Sequence, residues 1–127
     1  MLFGSSDRAD ASMQASRPWR EVAHIIGFNT KDCTPEQTVQ LLTRGRSELA
    51  SIPGVRRVAS GEALTTDARY RQLWLIEFAH PQVVESYRTH PAHLTHANRH
   101  FRPAATDRLS IDFLLTETDS QNLPPRP

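Results

Sequence analysis

A chain of 127 residues with 15 Lys plus Arg against 14 Asp plus Glu carries a formal charge of +1 and no run of like charge. That balance excludes the basic stripe of a nucleic-acid binder and the polybasic patch of a membrane-surface binder. The length suits one domain with its own core, no apolar run reaches a membrane span, and the lone Cys33 suits a reducing, cytoplasmic setting.

Residues 1–18 are rich in Ser, Ala, Asp and Arg without periodicity and have no apolar signal-peptide core, so a disordered extension is expected. The ordered domain is expected over 19–116. Glu21 to Phe28 reads as a first strand with apolar groups on both faces. Thr34-Pro35-Glu36-Gln37 then opens a helix. Thr34 is the N-cap, Pro35 takes the first helical position, and Gln37 closes a capping box. Leu42, Gly45, Leu49 and Ile52 repeat at helical spacing until Pro53-Gly54 stops the helix.

Val55 to Ala63 predicts a more polar second strand, Thr65 to Arg69 a turn, and Tyr70 to Phe78 a third strand filled on both faces. His80-Pro81 starts a short helix holding Val83, Val84 and Tyr87. Pro91 starts a second helical segment, because proline is tolerated in a first turn but not inside an unbroken helix. Pro103 limits that segment. Arg108 to Leu115 is the fourth strand, with Leu109, Ile111, Phe113 and Leu115 alternating against Ser110 and Asp112. Residues 117–127 carry three prolines and read as a loose tail.

The order βαββαβ predicts an α+β, ferredoxin-like fold: a four-stranded antiparallel sheet with helices on one face. The helices can cover one side only, yet the first and third strands are apolar on both. The sheet of a second copy is the natural cover, so a homodimer is expected.

Tyr87-Arg88-Thr89-His90-Pro91-Ala92-His93 gathers a phenol and two imidazoles around one kink. Groups that move protons, held close together, are what general acid–base chemistry needs. His93 titrates in the range of a base at neutral pH, and Tyr87 suits hydrogen bonding to a developing enolate. The competing reading makes His93 a packing residue of a helix start. His90, ahead of a proline, fits a side-chain bond that fixes the kink or an edge of a substrate pocket. His24 shares a strand face with Val22, Ile26 and Phe28, as a satisfied core histidine does. Trp74 and Phe78 read first as core, with one or two aromatic groups left to wall a cavity. His93, His96 and His100 share one face of a helix, with His96 and His100 at chelate spacing. A third ligand is not evident, so no metal is expected, and His96 and His100 are placed at the surface or at the dimer partner.

The segments VAHIIGF, SELASIPGVRRV, LWLIEF, SYRTHPAHL and RLSIDFLL, spanning about Val22 to Leu115, resemble the stress-responsive A/B barrel (Dabb) family. HPAH is the most specific element and IPGV the second. The resemblance implies a dimeric α+β barrel. A plant polyketide cyclase of the family closes its substrate by aldol condensation with a tyrosine and the second histidine of HPAH, which fall on Tyr87 and His93. Its pocket histidine on the first strand falls on His24, while Gln72 stands where it has another histidine. The resemblance thus implies His93, Tyr87 and His24 as catalytic candidates, with Gln72, Trp74, Phe28 and His90 as substrate contacts. The activity expected is cofactor-free aldol or Claisen-type cyclisation of a small hydrophobic carbonyl compound. A non-catalytic stress-associated dimer binding a hydrophobic molecule is the alternative, and an oxygenase of the wider barrel fold a third.

Overall fold

The computed structural model describes residues 20–118; the expectations for 1–18 and for the end of the tail lie outside them. In chain order come β1 (Val22–Thr30), α1 (Pro35–Ala50), β2 (Val55–Glu62), β3 (Gln72–Phe78), α2 (Pro81–Thr89) and α3 (Pro91–Thr95). A π-helical turn (His96–Phe101), a final helical turn α4 (Arg102–Ala104) and β4 (Ala105–Leu114) follow. Strand order is β2-β3-β1-β4 with antiparallel neighbours, the expected ferredoxin-like arrangement.

Local chemistry sets the boundaries. Thr34 Oγ1 accepts from the Gln37 amide at 3.1 Å, and Gln37 Oε1 accepts from the Thr34 amide at 2.9 Å. The reciprocal bonds satisfy two amides that the helix leaves free. Gly54 turns the chain into β2 with φ +88°, a left-handed geometry that suits glycine. A Cβ there would sit 2.6 Å from Val83.

β3 starts at Gln72 rather than Tyr70 because the Asn29 amide intervenes. Its Nδ2 donates to Arg69 O at 2.9 Å, and its Oδ1 accepts from the Arg71 amide at 2.8 Å. β4 starts three residues earlier than expected, at Ala105, through a register shift opposite Gly27 to Asn29. Asp107 adopts φ 51° there, held by Arg69 Nη2 at 2.9 Å. The helix expected to stop near Pro103 runs to Ala104, with the proline inside a closing first turn.

Register divides the sheet into two faces. Val22, His24, Ile26 and Phe28 lie opposite Phe78, Ile76, Trp74 and Gln72, on the side the helices cover. Phe28, Trp74, Ile76, Phe78, Leu49, Ile52, Tyr87 and Phe101 form the core there. Each large apolar side chain so buried contributes about 1.5–3 kcal/mol. On the other face Ala23, Ile25 and Gly27 lie opposite Phe113, Ile111 and Leu109. Those β4 residues are 45%, 42% and 47% exposed, and Leu73 beside them 38%. The apolar second face inferred from patterning is therefore open in the single chain.

Candidate active site

Two His-Pro steps place the site. At each, the imidazole Nδ1 caps the helix that the proline begins. His80 accepts from the Gln82 amide at 3.1 Å and His90 from the Ala92 amide at 3.0 Å. The second step breaks α2 from α3 at His90, one turn after Tyr87, folding His93 back over the phenol. The rings of Tyr87 and His93 lie 4.4 Å apart, and His24 on β1 lies 6.0 Å from Tyr87. Phe78 backs the group, 5.9 Å from His24 and 4.7 Å from Tyr87.

Hydrogen bonding assigns the protons. His93 Nδ1 is 2.9 Å from Arg88 O, and a carbonyl only accepts. Nδ1 therefore carries the hydrogen, leaving Nε2 with a lone pair. Burial holds the imidazole below its ordinary pKa; the Arg88 bond opposes this, while the charges of His24, Arg102 and Arg88 add to it. The group is thus a neutral base at physiological pH. Tyr87 is only 4% exposed, and burial, with the Asp112 charge second, pushes its phenol above the usual range. It stays a donor.

His24 Nδ1 lies 2.5 Å from Asp112 Oδ1. A carboxylate accepts, so His24 also presents Nε2, with its ring oriented by the acid. Asp112 was not among the residues expected from sequence. Its signal is register: it sits directly opposite His24, on the helix-covered face. Alternation places Asp112 opposite in phase to Ile111 and Phe113 but cannot say which residue it faces.

Of the four substrate-contact candidates, His90 sits at the kink between Tyr87 and His93, while Phe28, Trp74 and Gln72 lie further along the sheet. Phe28 lies four residues along β1 from His24, about 13 Å at strand rise. Phe28 and Trp74 pack with each other and with Phe101 and His96 in the core. Gln72 is opposite Phe28. His90 has Nδ1 committed to its cap, which fits the kink-fixing reading. Phe28 and Trp74 thus take the core-packing role that the sequence suggested first for the indole. The indole fills the space under α1 because Gly45 lets the helix backbone approach it.

Two hollows are lined mainly by other residues, although Gln72 borders the first. One of about 320 Å³ lies on the open sheet face among Ile25, Gly27, Gly61, Tyr70, Leu73 and Leu109. One of about 300 Å³ lies beside Cys33, Gln37, Arg44, Arg99 and His100. His96 departs from expectation as well: it is buried, 3% exposed, rather than at the surface. His100 is half-buried and takes a 3.2 Å contact from Arg44 Nη1. The π-helical turn breaks the simple helical phase that would align these two with His93. Among the described residues, no three His, Cys, Asp or Glu side chains converge as a metal site requires. No helix among them is long and apolar enough to cross a membrane.

The family model described as Stress responsive A/B Barrel Domain matches residues 22–115. No curated protein gives a significant match. Among solved structures, a dimeric ferredoxin-like protein of unknown function from Thermobifida fusca is 28% identical. The alignment covers 76% of this chain and 92% of that one, with a TM-score of 0.65. A dabb family protein from Mesorhizobium loti is 20% identical, covering 77% and 99%, with a TM-score of 0.69. The hydroxynitrile lyase of Passiflora edulis is 20% identical, covering 82% and 100%, with a TM-score of 0.68.

Proposed function

The chain belongs to the stress-responsive A/B barrel (Dabb) family, and we propose that it is a cofactor-independent acid–base enzyme acting on a small hydrophobic carbonyl compound. The observation that carries this reading is the juxtaposition of Tyr87 and His93 with a His24–Asp112 pair. His93 Nε2 removes a proton from the carbon next to a carbonyl. The Tyr87 hydroxyl donates to the oxygen on which the enolate charge develops. The enolate carbon then attacks a second carbonyl of the same molecule, forming the ring bond. The new alkoxide takes back a proton from the imidazolium, so charge and protons balance. A poly-β-ketoacyl compound meets these demands, because its methylene groups are acidic and its carbonyls lie within reach of each other.

The fold alone assigns no activity, since related barrels carry different chemistries. Asp112 orients His24, and His24 completes the wall behind the phenol. The open apolar sheet face and the dimeric Thermobifida fusca relative support a homodimer joined through that face. The free Cys33 supports a reducing, cytoplasmic setting.

The alternative of a non-catalytic binding protein has one observation in its favour: His93 is tied to the backbone carbonyl of Arg88. That bond occupies Nδ1 only. Turnover of a linear poly-β-ketoacyl thioester by the wild-type chain, His93→Ala and Tyr87→Phe separates the readings. The enzyme reading expects ring product from the wild type and a loss of about 10²–10⁴ in kcat for His93→Ala. Equal turnover in all three proteins would refute it.

A further inference from the structure

A second polar cluster lies deeper, between α1, β3 and the π-helical turn. His96 Nδ1 is 3.6 Å from Glu48 Oε1, beyond hydrogen-bond length. The His96 ring meets Trp74 edge to face, with centroids 5.6 Å apart. Among the described residues, Glu48 Oε1, His96 Nδ1 and Trp74 Nε1 are buried polar atoms with no hydrogen-bond partner. Each such atom is costly if left unsatisfied, because it has given up water without a replacement bond. Glu48 Oε1 and His96 Nδ1 face each other, the Trp74 indole packs on the same imidazole, and buried polar atoms so grouped call for a shared partner.

Two further features bring these groups together. A Cβ at Gly45, in the middle of α1, would lie 2.5 Å from Trp74 Cη2 and 2.6 Å from His96 Cε1. The helix therefore keeps a glycine, a weaker helix former than alanine, where the rings press on its backbone. The π-helical turn begins at His96 itself, and such turns are frequent at functional sites.

We propose that Glu48, His96 and Trp74 hold one internal water, and that the water, His96 and Glu48 form a protonation centre separate from the Tyr87–His93 group. The Trp74 N–H donates to the water oxygen, and the water donates to Glu48 Oε1 and His96 Nδ1. Internal waters make about three such bonds. Neutral His96 accordingly carries its hydrogen on Nε2. As pH falls, a proton enters at Nδ1, which becomes a donor toward the Glu48 carboxylate. The Glu48 side chain is 33% exposed, so the pair reaches solvent through that carboxylate.

The charged or titratable groups acting on His96 are Glu48 from α1, His93 from α3 and His100 from its own turn; the Trp74 and Phe101 rings are uncharged. Burial lowers the imidazole pKa, Glu48 opposes that, and the two histidines add to it. His96 is thus neutral at neutral pH and takes its proton below the ordinary histidine range.

The test uses the full chain. A crystal structure near pH 7.5 is expected to show a water within about 3 Å of all three atoms. Imidazole nitrogen NMR is expected to show His96 as the Nε2–H tautomer. Glu48→Gln should lower the His96 titration midpoint by about one pH unit. A dry cluster, an Nδ1–H tautomer at neutral pH, or a midpoint unmoved in Glu48→Gln would each overturn the proposal. The water and the tautomer are read on the wild-type protein, so the first two outcomes do not depend on the variant folding.

Discussion

His93 and His96 are three residues apart, and burial lowers the pKa of both. Their surroundings nevertheless give them different chemistry. His93 sits at the helix kink, half-buried, with Nδ1 bonded to Arg88 O and its ring over the Tyr87 phenol. His96 is turned inward by the π-helical turn, against the Trp74 indole and beside a carboxylate it does not quite reach. The imidazole is the same in both places. What differs is which nitrogen is occupied and by what, and that decides whether a lone pair is free for a reacting molecule or for an internal water.

Substitutions that separate the two histidines test this contrast. The largest expected effect is on turnover. His93→Ala should cost about 10²–10⁴ in kcat, roughly 3–5 kcal/mol in barrier, with an unchanged thermal midpoint. If His96→Ala costs as much in kcat, the two centres are not distinct. Next comes assembly. Ile111→Asp puts a charge on the open face, where facing its own copy across a two-fold interface costs several kcal/mol. Light scattering should then find monomer with native far-UV dichroism, and a persistent dimer would place the interface elsewhere.

Smaller effects sharpen the same contrast. Gly45→Ala drives a methyl group into Trp74 and His96, and overpacking of this kind costs about 1–3 kcal/mol. Urea unfolding measures it, and an unchanged midpoint would mean that the rings yield freely. Asp112→Asn keeps the shape but loses the charge that orients His24. A decrease of about tenfold in kcat is expected, near 1.4 kcal/mol, with little change in stability; unchanged turnover would remove the pair from the reaction.

The mildest effect is pH dependence. Because folding lowers the pKa of His93 and His96, the unfolded chain binds more protons below about pH 6.5. Stability should therefore be fully present above that pH and decline as pH falls through the folded-state values. At the alkaline end Tyr87 acts in the opposite sense. Its raised pKa keeps stability intact below about pH 10 and withdraws it above. Urea midpoints at pH 7.5 and 5.5 check the acid limb, and a midpoint that rises on acidification contradicts it.

Much of the domain was legible in the chain because its signals are local. Thr34, Pro35 and Gln37 announce the start of α1 within four residues, and Pro53-Gly54 its stop. Alternation in β4 and the filled faces of β1 and β3 foretell a sheet that one layer of helices cannot cover. The pairing of Tyr87 with His93 was legible too, since only a short kinked segment joins them.

What escaped the sequence reading depends on groups distant in the chain. Asp112 meets His24 through strand register, across an interval of 88 residues. Phe28 and Trp74 have the aromatic character of pocket walls, and only packing shows that the indole is seated under Gly45. Glu48 reads as an ordinary helical acid until the π-helical turn delivers His96 beside it.

The sequence by itself determined the order of elements, the caps and the two-sided apolarity of the sheet, because each follows from backbone preference and periodicity over a few residues. The tertiary structure alone decided that His93 Nδ1 meets the Arg88 carbonyl, and that Asp112 stands beside His24 and Glu48 beside His96. The carboxylate pairings depend on distances of a few ångströms between segments far apart in the chain, and no local pattern encodes them.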